Sequence, residues 1–356
     1  MFNSVYNQRS VFVTGQTGFK GSWLCLWLEH MGARVTAYAL KPVTEPNHFD
    51  LVGMKGNSVI GDVCNYDTLA AQMAQCRPEI VFHLAAQASV LYSYDNPLET
   101  FASNVLGTAN VLEAIRHTPS VRAVVIVTTD KCYENKEWLW AYRENDAIGG
   151  HDPYSASKAC AELVVSAYRR SFLTEGSVLV ATARAGNVIG GGDWTADRLV
   201  SDVMRATVRG ETVIIRNPGS FRPWQHVLEP LSAYLLLGKL LFDGRQELAQ
   251  AWNFGPDEEN YMNVLTVVKC LQECWPRVAY EMSSETVKPH EAGLLKLDCS
   301  KARRLLGLKP VWGRDAMLAK TAEWYRCFYN SGQLLSERQL AEYIADARDA
   351  DASWIQ

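Results

Sequence analysis

The sequence predicts an α/β fold built on a doubly wound parallel sheet, and three observations predict it. Short β-rich runs alternate with longer helical patterns through the first half. The runs are almost continuously hydrophobic, as strands buried on both faces must be. A Gly-x-x-Gly-x-x-Gly spacing stands where the first run meets the first helical pattern. The strand candidates are SVFVTG (10–15), RVTAYAL (34–40), NSVIGD (57–62), EIVFHLA (79–85), RAVVIVTT (122–129) and SVLVATAR (177–184). Helical patterns at about 20–31, 66–75, 97–117 and 154–174 have the lengths expected of crossover helices. Beyond residue 185 the chain loosens into GNVIGGGDW and RNPGSFRPW with shorter helical segments. The expected organisation is a dinucleotide-binding domain over 1–185 and a smaller substrate-binding region over 186–356. No linker or internal repeat separates them, so the two should interleave, with parts of 225–260 returning to the first.

Composition excludes several classes. At 356 residues with 48% hydrophobic and 21% charged residues, the chain supports a full core and leaves no long segment to disorder. A net charge of -4 with acids and bases interspersed argues against a nucleic-acid partner. The nine cysteines include no Cys-x-x-Cys and sit mostly in apolar runs, which reads as reduced thiols and no metal site. MFNSVYNQRS lacks the pattern of a leader, and YLLLGKLLF is far below membrane length, so a soluble, cytoplasmic protein with no membrane association is expected.

TGQTGFKG follows the first strand and opens the first helix. Glycines there let the backbone turn tightly and approach a pyrophosphate, while the helix start offers free N–H groups to the anion. Gly15, Thr17, Gly18 and Phe19 are therefore cofactor candidates, with Gly21 packing helix on strand. Asp62 and Val63 follow the third strand, where the carboxylate can meet an adenine or cap the next segment. Leu84, Ala85, Ala86 and Gln87 of HLAAQ lie where a strand edge passes close to a cofactor, and His83 reads as a core histidine. The second strand ends YALKP, with Lys41 and no ribose-binding acid, so these residues leave NAD and NADP both open.

Tyr154 and Lys158 in DPYSASKACAE stand four apart at a helix start. That spacing puts both on one face, where the ammonium favours the ionised phenol, a base for a sugar or alcohol hydroxyl. The stretch TTDKCYENKEW raises a second question, because Asp130 and Lys131 follow the strand-end Thr129 as an acid and a base side by side.

The glycine loop, Thr129 and the Tyr154/Lys158 pair resemble the extended short-chain dehydrogenase/reductase superfamily, a Rossmann-like fold whose members mostly act on nucleotide sugars. Asn104 in NVLGT matches its position that supports the active-site strands. Epimerases of the superfamily usually carry small residues after the strand-end Ser or Thr, and most 4,6-dehydratases carry Asp then Glu. Asp130 followed by Lys131 resembles the dehydratase branch acting on CDP-glucose, and the similarity runs through YRENDAIGGHDPYS, RAGNVIGGGDW, RNPGSFRPWQHVLEPL, WNFGP and LKLDCSKA.

The resemblance implies a tightly held NAD, a CDP-glucose substrate, a 4-keto-6-deoxy product that feeds 3,6-dideoxyhexose synthesis for O-antigen, and a homodimer or homotetramer paired through the helices at 97–117 and 154–174. It implies catalytic roles for Thr129, Asp130, Lys131, Tyr154 and Lys158: Tyr154 takes the O4 proton, Thr129 holds the same oxygen, Lys158 holds the cofactor ribose, Lys131 removes the C5 proton and Asp130 protonates the departing C6 hydroxyl. A lysine base needs a pKa lowered by burial or a neighbouring cation, and the alternative is that Lys131 stabilises the enolate or trades duties with Asp130. Asn187, Arg198 and Arg222 are the implied diphosphate contacts, with GGGDW offering backbone N–H groups, and Ser93 lies near the sugar. The related dTDP-sugar enzymes carry a late His-Asp-Arg run; here it reads His290-Glu291-Ala292, without the arginine. The 213–225 loop is the expected reader of the base, and Trp194 and Trp224 either stack on it or fill the core. The rivals are a nucleotide-sugar 4-epimerase or reductase, which gives Asp130 and Lys131 no role, and a cofactor-sensing regulator, which would not need Tyr154 and Lys158.

Overall fold

The computed structural model describes residues 1–173, 176, 178–257, 260–283 and 293–356. Six strands appear where hydrophobic runs predicted them, mostly shortened by one to three residues, with β6 running one residue further: β1 (Ser10–Thr14), β2 (Arg34–Ala39), β3 (Asn57–Ile60), β4 (Ile80–His83), β5 (Ala123–Val127) and β6 (Leu179–Ala185). Four short strands follow, β7 (Val188–Ile189), β8 (Thr212–Ile215), β9 (Phe221–Arg222) and β10 (Gln225–His226). The chain then re-enters the main sheet as β11 (Ala251–Phe254), before β12 (Met262–Asn263) and β13 (Ala279–Met282). The sheet has seven strands in the order β11-β6-β5-β4-β1-β2-β3, and every pairing in it is parallel. The short strands form three separate pairs, β7 with β10, β8 with β13 and β9 with β12, on the substrate side.

The helices are α1 (Phe19–His30), α2 (His48–Val52), α3 (Tyr66–Cys76), α4 (Val90–Asp95), α5 (Pro97–Phe101), α6 (Gly107–Arg116), α7 (Pro153–Ser171), α8 (Leu199–Arg209), α9 (Leu228–Phe242), α10 (Val264–Cys274), α11 (Ser300–Leu306), α12 (Arg314–Ser331) and α13 (Ser336–Asp349). One face of the sheet is covered by α3, α6 and α7 through Leu69, Met73, Val111, Leu112, Ile115 and Val165. The other face is covered by α1 and α9, on which the C-terminal helices pack with Trp312, Trp324, Tyr343 and Trp354. A parallel sheet needs both faces dry, and these two clusters supply that. No helix among the described residues is long and apolar enough to cross a membrane. All nine cysteines are free thiols.

One difference from the expected helices matters for the site. The pattern at 97–117 is not a single α-helix: α5 and α6 are joined by a π-helical turn, Ala102–Leu106, that contains Asn104. Such turns insert one residue and re-aim the side chains around it.

Candidate active site

The parallel sheet ends all its C-terminal strand edges on one side, and the site assembles there. Gly15 follows β1 with φ +84°, and a Cβ on it would lie 2.6 Å from the Ala85 backbone nitrogen after β4. A Cβ on Gly21 would lie 2.0 Å from the Gly15 carbonyl oxygen. The loop is thus pressed flat between β4 and α1, and no side chain caps the α1 N-terminus. Gln16 and Gln87 each keep a buried side-chain oxygen without a partner. A flat glycine loop, an uncapped helix start and buried oxygens awaiting donors fit a dinucleotide.

The other cofactor candidates divide. Thr17 donates to the Leu40 carbonyl at 2.9 Å, tying the loop to the end of β2. Phe19 is buried in the core against Gly190, so only its backbone is available to a cofactor. The Asp62 carboxylate is exposed and accepts from Cys64 N–H at 2.9 Å, while Asn65 caps α3. Val63 is buried against Gly107. His83 lies 2.7 Å from Thr14 Oγ1 and 3.2 Å from Thr108 Oγ1, and burial holds it neutral with its pKa lowered to about 3. Asn104 accepts from Gln87 N–H at 2.9 Å and donates to Gln87 O at 3.0 Å and Ser157 Oγ at 2.8 Å. Through the π turn it clamps the β4 loop to α7.

Beside the loop lies a cavity of about 460 Å³, large enough for a small organic ligand. Thr129, Asp130, Lys131, Tyr154, Lys158, Asn187, Arg198 and Arg222 all line it, together with Leu84 and Ala86. Local structure explains their placement. After β5, Thr129 caps a single 3₁₀ turn, Asp130–Cys132, and accepts from Lys131 N–H at 3.3 Å. α7 starts on Asp152, whose carboxylate accepts from Ser155 N–H at 2.9 Å, with Pro153 in the first turn. Tyr154 and Lys158 therefore face the cavity one turn apart.

Asp130 is only 1% exposed; its Oδ1 accepts from Thr129 Oγ1 at 3.0 Å and lies 3.8 Å from Lys131 Nζ, and its Oδ2 has no partner. This is no surface ion pair. A buried carboxylate oxygen without a donor is costly unless a ligand supplies one. The amide oxygen of Asn187, after the neighbouring strand β6, is a second buried oxygen without a partner in the cavity.

The expected phenolate is not what the protein alone holds. Burial pushes Tyr154 up to about 12, a hydrogen bond with Thr129 pulls it down, and the Asp130 charge raises it again. Burial lowers Lys158 to about 8, against the raising effect of Glu162 one turn further along α7. The Lys158 ammonium donates to Val127 O at 3.3 Å rather than to the phenol. Desolvation outweighs the helical pairing, so at neutral pH the proton stays on Tyr154.

Two further expectations change. Ser93 does not line the cavity; its hydroxyl donates to Val90 O at 2.6 Å and accepts from Tyr154 N–H at 3.2 Å, so it supports the start of α7 instead of a sugar. In GGGDW, the Asp193 N–H is taken by Tyr325 Oη at 2.9 Å. The glycines there make room for rings: a Cβ on Gly191 would overlap Trp324, and one on Gly192, at φ +88°, would press on His48. Arg222 is buried and donates from Nη1 to Phe221 O at 2.9 Å and Gly293 O at 3.3 Å. Arg198 pairs with Asp193 at 3.0 Å. The 213–225 segment lines the cavity with Ile215, Arg216, Asn217 and Trp224, whereas Trp194 packs against α12. His290-Glu291-Ala292 lie outside the described residues.

Three cavity residues had no role in the sequence reading. Lys20, at the start of α1, is lowered to about 7 by burial, with Arg198 and Lys158 lowering it further. Asp193 and Tyr325 line the same cavity. Lys20 stands inside the glycine motif, but nothing in that motif shows that its side chain faces Arg198.

Residues 12–321 match the family described as GDP-mannose 4,6 dehydratase. The chain belongs to that family. Among relatives of this dehydratase family, a CDP-glucose 4,6-dehydratase of Salmonella typhimurium is 46% identical over 346 residues, spanning 95% of this chain and 96% of that protein. A solved UDP-glucose 4-epimerase of Thermotoga maritima with UDP-glucose shares the fold at 22% identity and TM-score 0.76, over 89% of this chain and 98% of that one. MoeE5 in complex with UDP-glucose and NAD superposes with TM-score 0.74 at 26% identity, over the same 89% and 98%.

Proposed function

We propose that this member of the family is a CDP-glucose 4,6-dehydratase, which converts CDP-glucose to CDP-4-keto-6-deoxyglucose and water and so stands upstream of 3,6-dideoxyhexose synthesis. The observation that carries the reading is the buried Asp130 carboxylate with a free oxygen, set beside Lys131, Thr129 and Tyr154 on one wall of one cavity. An epimerase or reductase needs Tyr154 and Lys158 but has no use for a second acid and base. The nearly full-length likeness to the Salmonella enzyme supports the same substrate.

The Gly15–Gly21 loop would hold NAD, which would supply the hydride acceptor for C4 and the donor for C6. The chain supplies the proton transfers. Tyr154 takes the O4 proton as a phenolate, having passed its own proton through the Thr129 hydroxyl to Asp130; Thr129 then donates to the same oxygen, and Lys158 would hold the cofactor ribose. The C4 ketone acidifies the C5 proton, which Lys131 removes as a neutral amine. Asp130 delivers a proton from its free oxygen to the C6 hydroxyl, which departs as water. The base and acid, whose Nζ and Oδ1 lie 3.8 Å apart, are left by these two steps as ammonium and carboxylate. Lys131 returns its proton to C5, and each positioned transfer contributes roughly 100- to 10,000-fold. Arg198, Arg222 and Asn187, which line the same cavity, bind the diphosphate.

The unit is a dimer in this reading, paired through α5, the π turn and α7, where Leu98, Leu106 and Leu163 are 84%, 60% and 59% exposed.

The test is to incubate the purified protein with CDP-, dTDP-, UDP- and GDP-glucose and weigh the products. Loss of one water from CDP-glucose alone, with no net change in cofactor, is expected. An epimer of unchanged mass, or a product gaining two hydrogens, would refute it.

A further inference from the structure

α12 belongs to none of the segments that carry the proposed chemistry, yet it reaches the cavity through one side chain. Tyr325 is fully buried, and its hydroxyl donates to Asp193 O at 2.6 Å while accepting from Asp193 N–H at 2.9 Å. One hydroxyl thereby satisfies both backbone groups of one residue. The Asp193 side chain is equally committed: Oδ1 accepts from Thr195 N–H at 3.0 Å, and Oδ2 accepts from Arg198 Nη1 at 3.0 Å. Its neighbours leave this segment little room to move. Trp324 fills the space at Gly191, His48 fills it at Gly192, and Trp194 Nε1 donates to Tyr329 Oη at 2.7 Å. The backbone that carries Arg198 is thus fixed to α12 at three side chains, and Tyr325, Asp193 and Arg198 all line the cavity.

We propose that Tyr325 is a positioning residue for diphosphate binding: it fixes Asp193, and Asp193 fixes the Arg198 guanidinium where the nucleotide's phosphates are gripped. This rests on reading the cavity as a nucleotide-sugar site. Removing the hydroxyl strands a buried N–H and C=O together, and such groups move to recover partners, taking Arg198 with them.

The experiment compares Tyr325→Phe, Arg198→Met and the double variant with the parent, using CDP-glucose turnover, CDP binding by calorimetry and a thermal melt of each full-length protein. In Tyr325→Phe, KM for CDP-glucose and Kd for CDP should both rise about five- to twentyfold while kcat stays within about twofold, the scale of one disturbed charged contact. In the Arg198→Met background the same substitution should change neither by more than about twofold, because the residue it positions is gone. An unchanged KM, a loss carried mainly in kcat, or the full effect persisting without Arg198 would overturn the proposal. A parent that binds CDP yet leaves CDP-glucose intact would overturn the reaction alone, and the CDP measurements would then decide the role of Tyr325.

Discussion

Asp130 and Lys131 are adjacent in the chain but differ sharply in environment: the carboxylate is buried with one oxygen free, and the lysine side chain stays 29% exposed at the cavity wall. That asymmetry gives each a separate task, the acid toward a leaving hydroxyl and the amine toward a carbon acid. Lys131→Ala is expected to cut solvent exchange of the C5 hydrogen at least roughly 100-fold while hydride loss from C4 survives, read by deuterium uptake from heavy water. Exchange at the parent rate would remove Lys131 from the role of base. The types and neighbours of these residues were legible in TTDKCYENKEW and DPYSASKACAE. Their protonation was not, because desolvation depends on what closes over a group, and it is desolvation that pushes Tyr154 up to about 12.

The strands of the first half were readable because most are apolar runs buried on both faces; β3, at the sheet edge, is mostly exposed. β11 was not, because Asn253 interrupts AWNF with a polar residue. Its side chain is buried all the same, accepting from Tyr133 Oη at 2.6 Å and donating to the Tyr142 carbonyl at 2.9 Å. The π turn at Ala102–Leu106 was hidden for a different reason: one inserted residue barely alters helical periodicity, yet it turns Asn104 onto Gln87. Asn104→Ala removes three hydrogen bonds from the π turn, two to Gln87 of the β4 loop and one to Ser157 of α7. It is expected to weaken NAD affinity about tenfold, measured by titration, with a melting temperature lowered by only a few degrees. NAD affinity equal to the parent's would show that the clamp is unnecessary.

At the scale of the whole molecule, three buried histidines among the described residues set an acid limit. His48, His83 and His226 are each lowered to about 3 by burial, against 6.5 when free. Below 6.5 the unfolded chain binds protons that the folded chain refuses, so stability falls as pH falls, by up to about 1.4 kcal/mol per pH unit for each histidine. Glu229, raised to about 7 by burial, works in the opposite direction between its ordinary 4.5 and 7. Three groups against one leave a net loss on acidification, and the urea midpoint is expected to drop clearly between about pH 7 and about pH 5. His48→Gln, which can still bond Ser22 and Ser336, should flatten that slope. A midpoint independent of pH would contradict the account. The exposed leucines of α5, the π turn and α7 make a second prediction at this scale: Leu106→Glu with Leu163→Glu is expected to halve the mass seen by light scattering. An unchanged mass would place any pairing elsewhere.

The central claim is that hydrogen leaves C4 and returns within the same molecule to C6 while water departs. CDP-glucose carrying deuterium at C4 tests it most directly, with the product examined by mass and by NMR. The account predicts a product lighter by one water that carries its deuterium at C6. Deuterium lost to solvent or left on released cofactor, or a product of unchanged mass with the label still at C4, would contradict it.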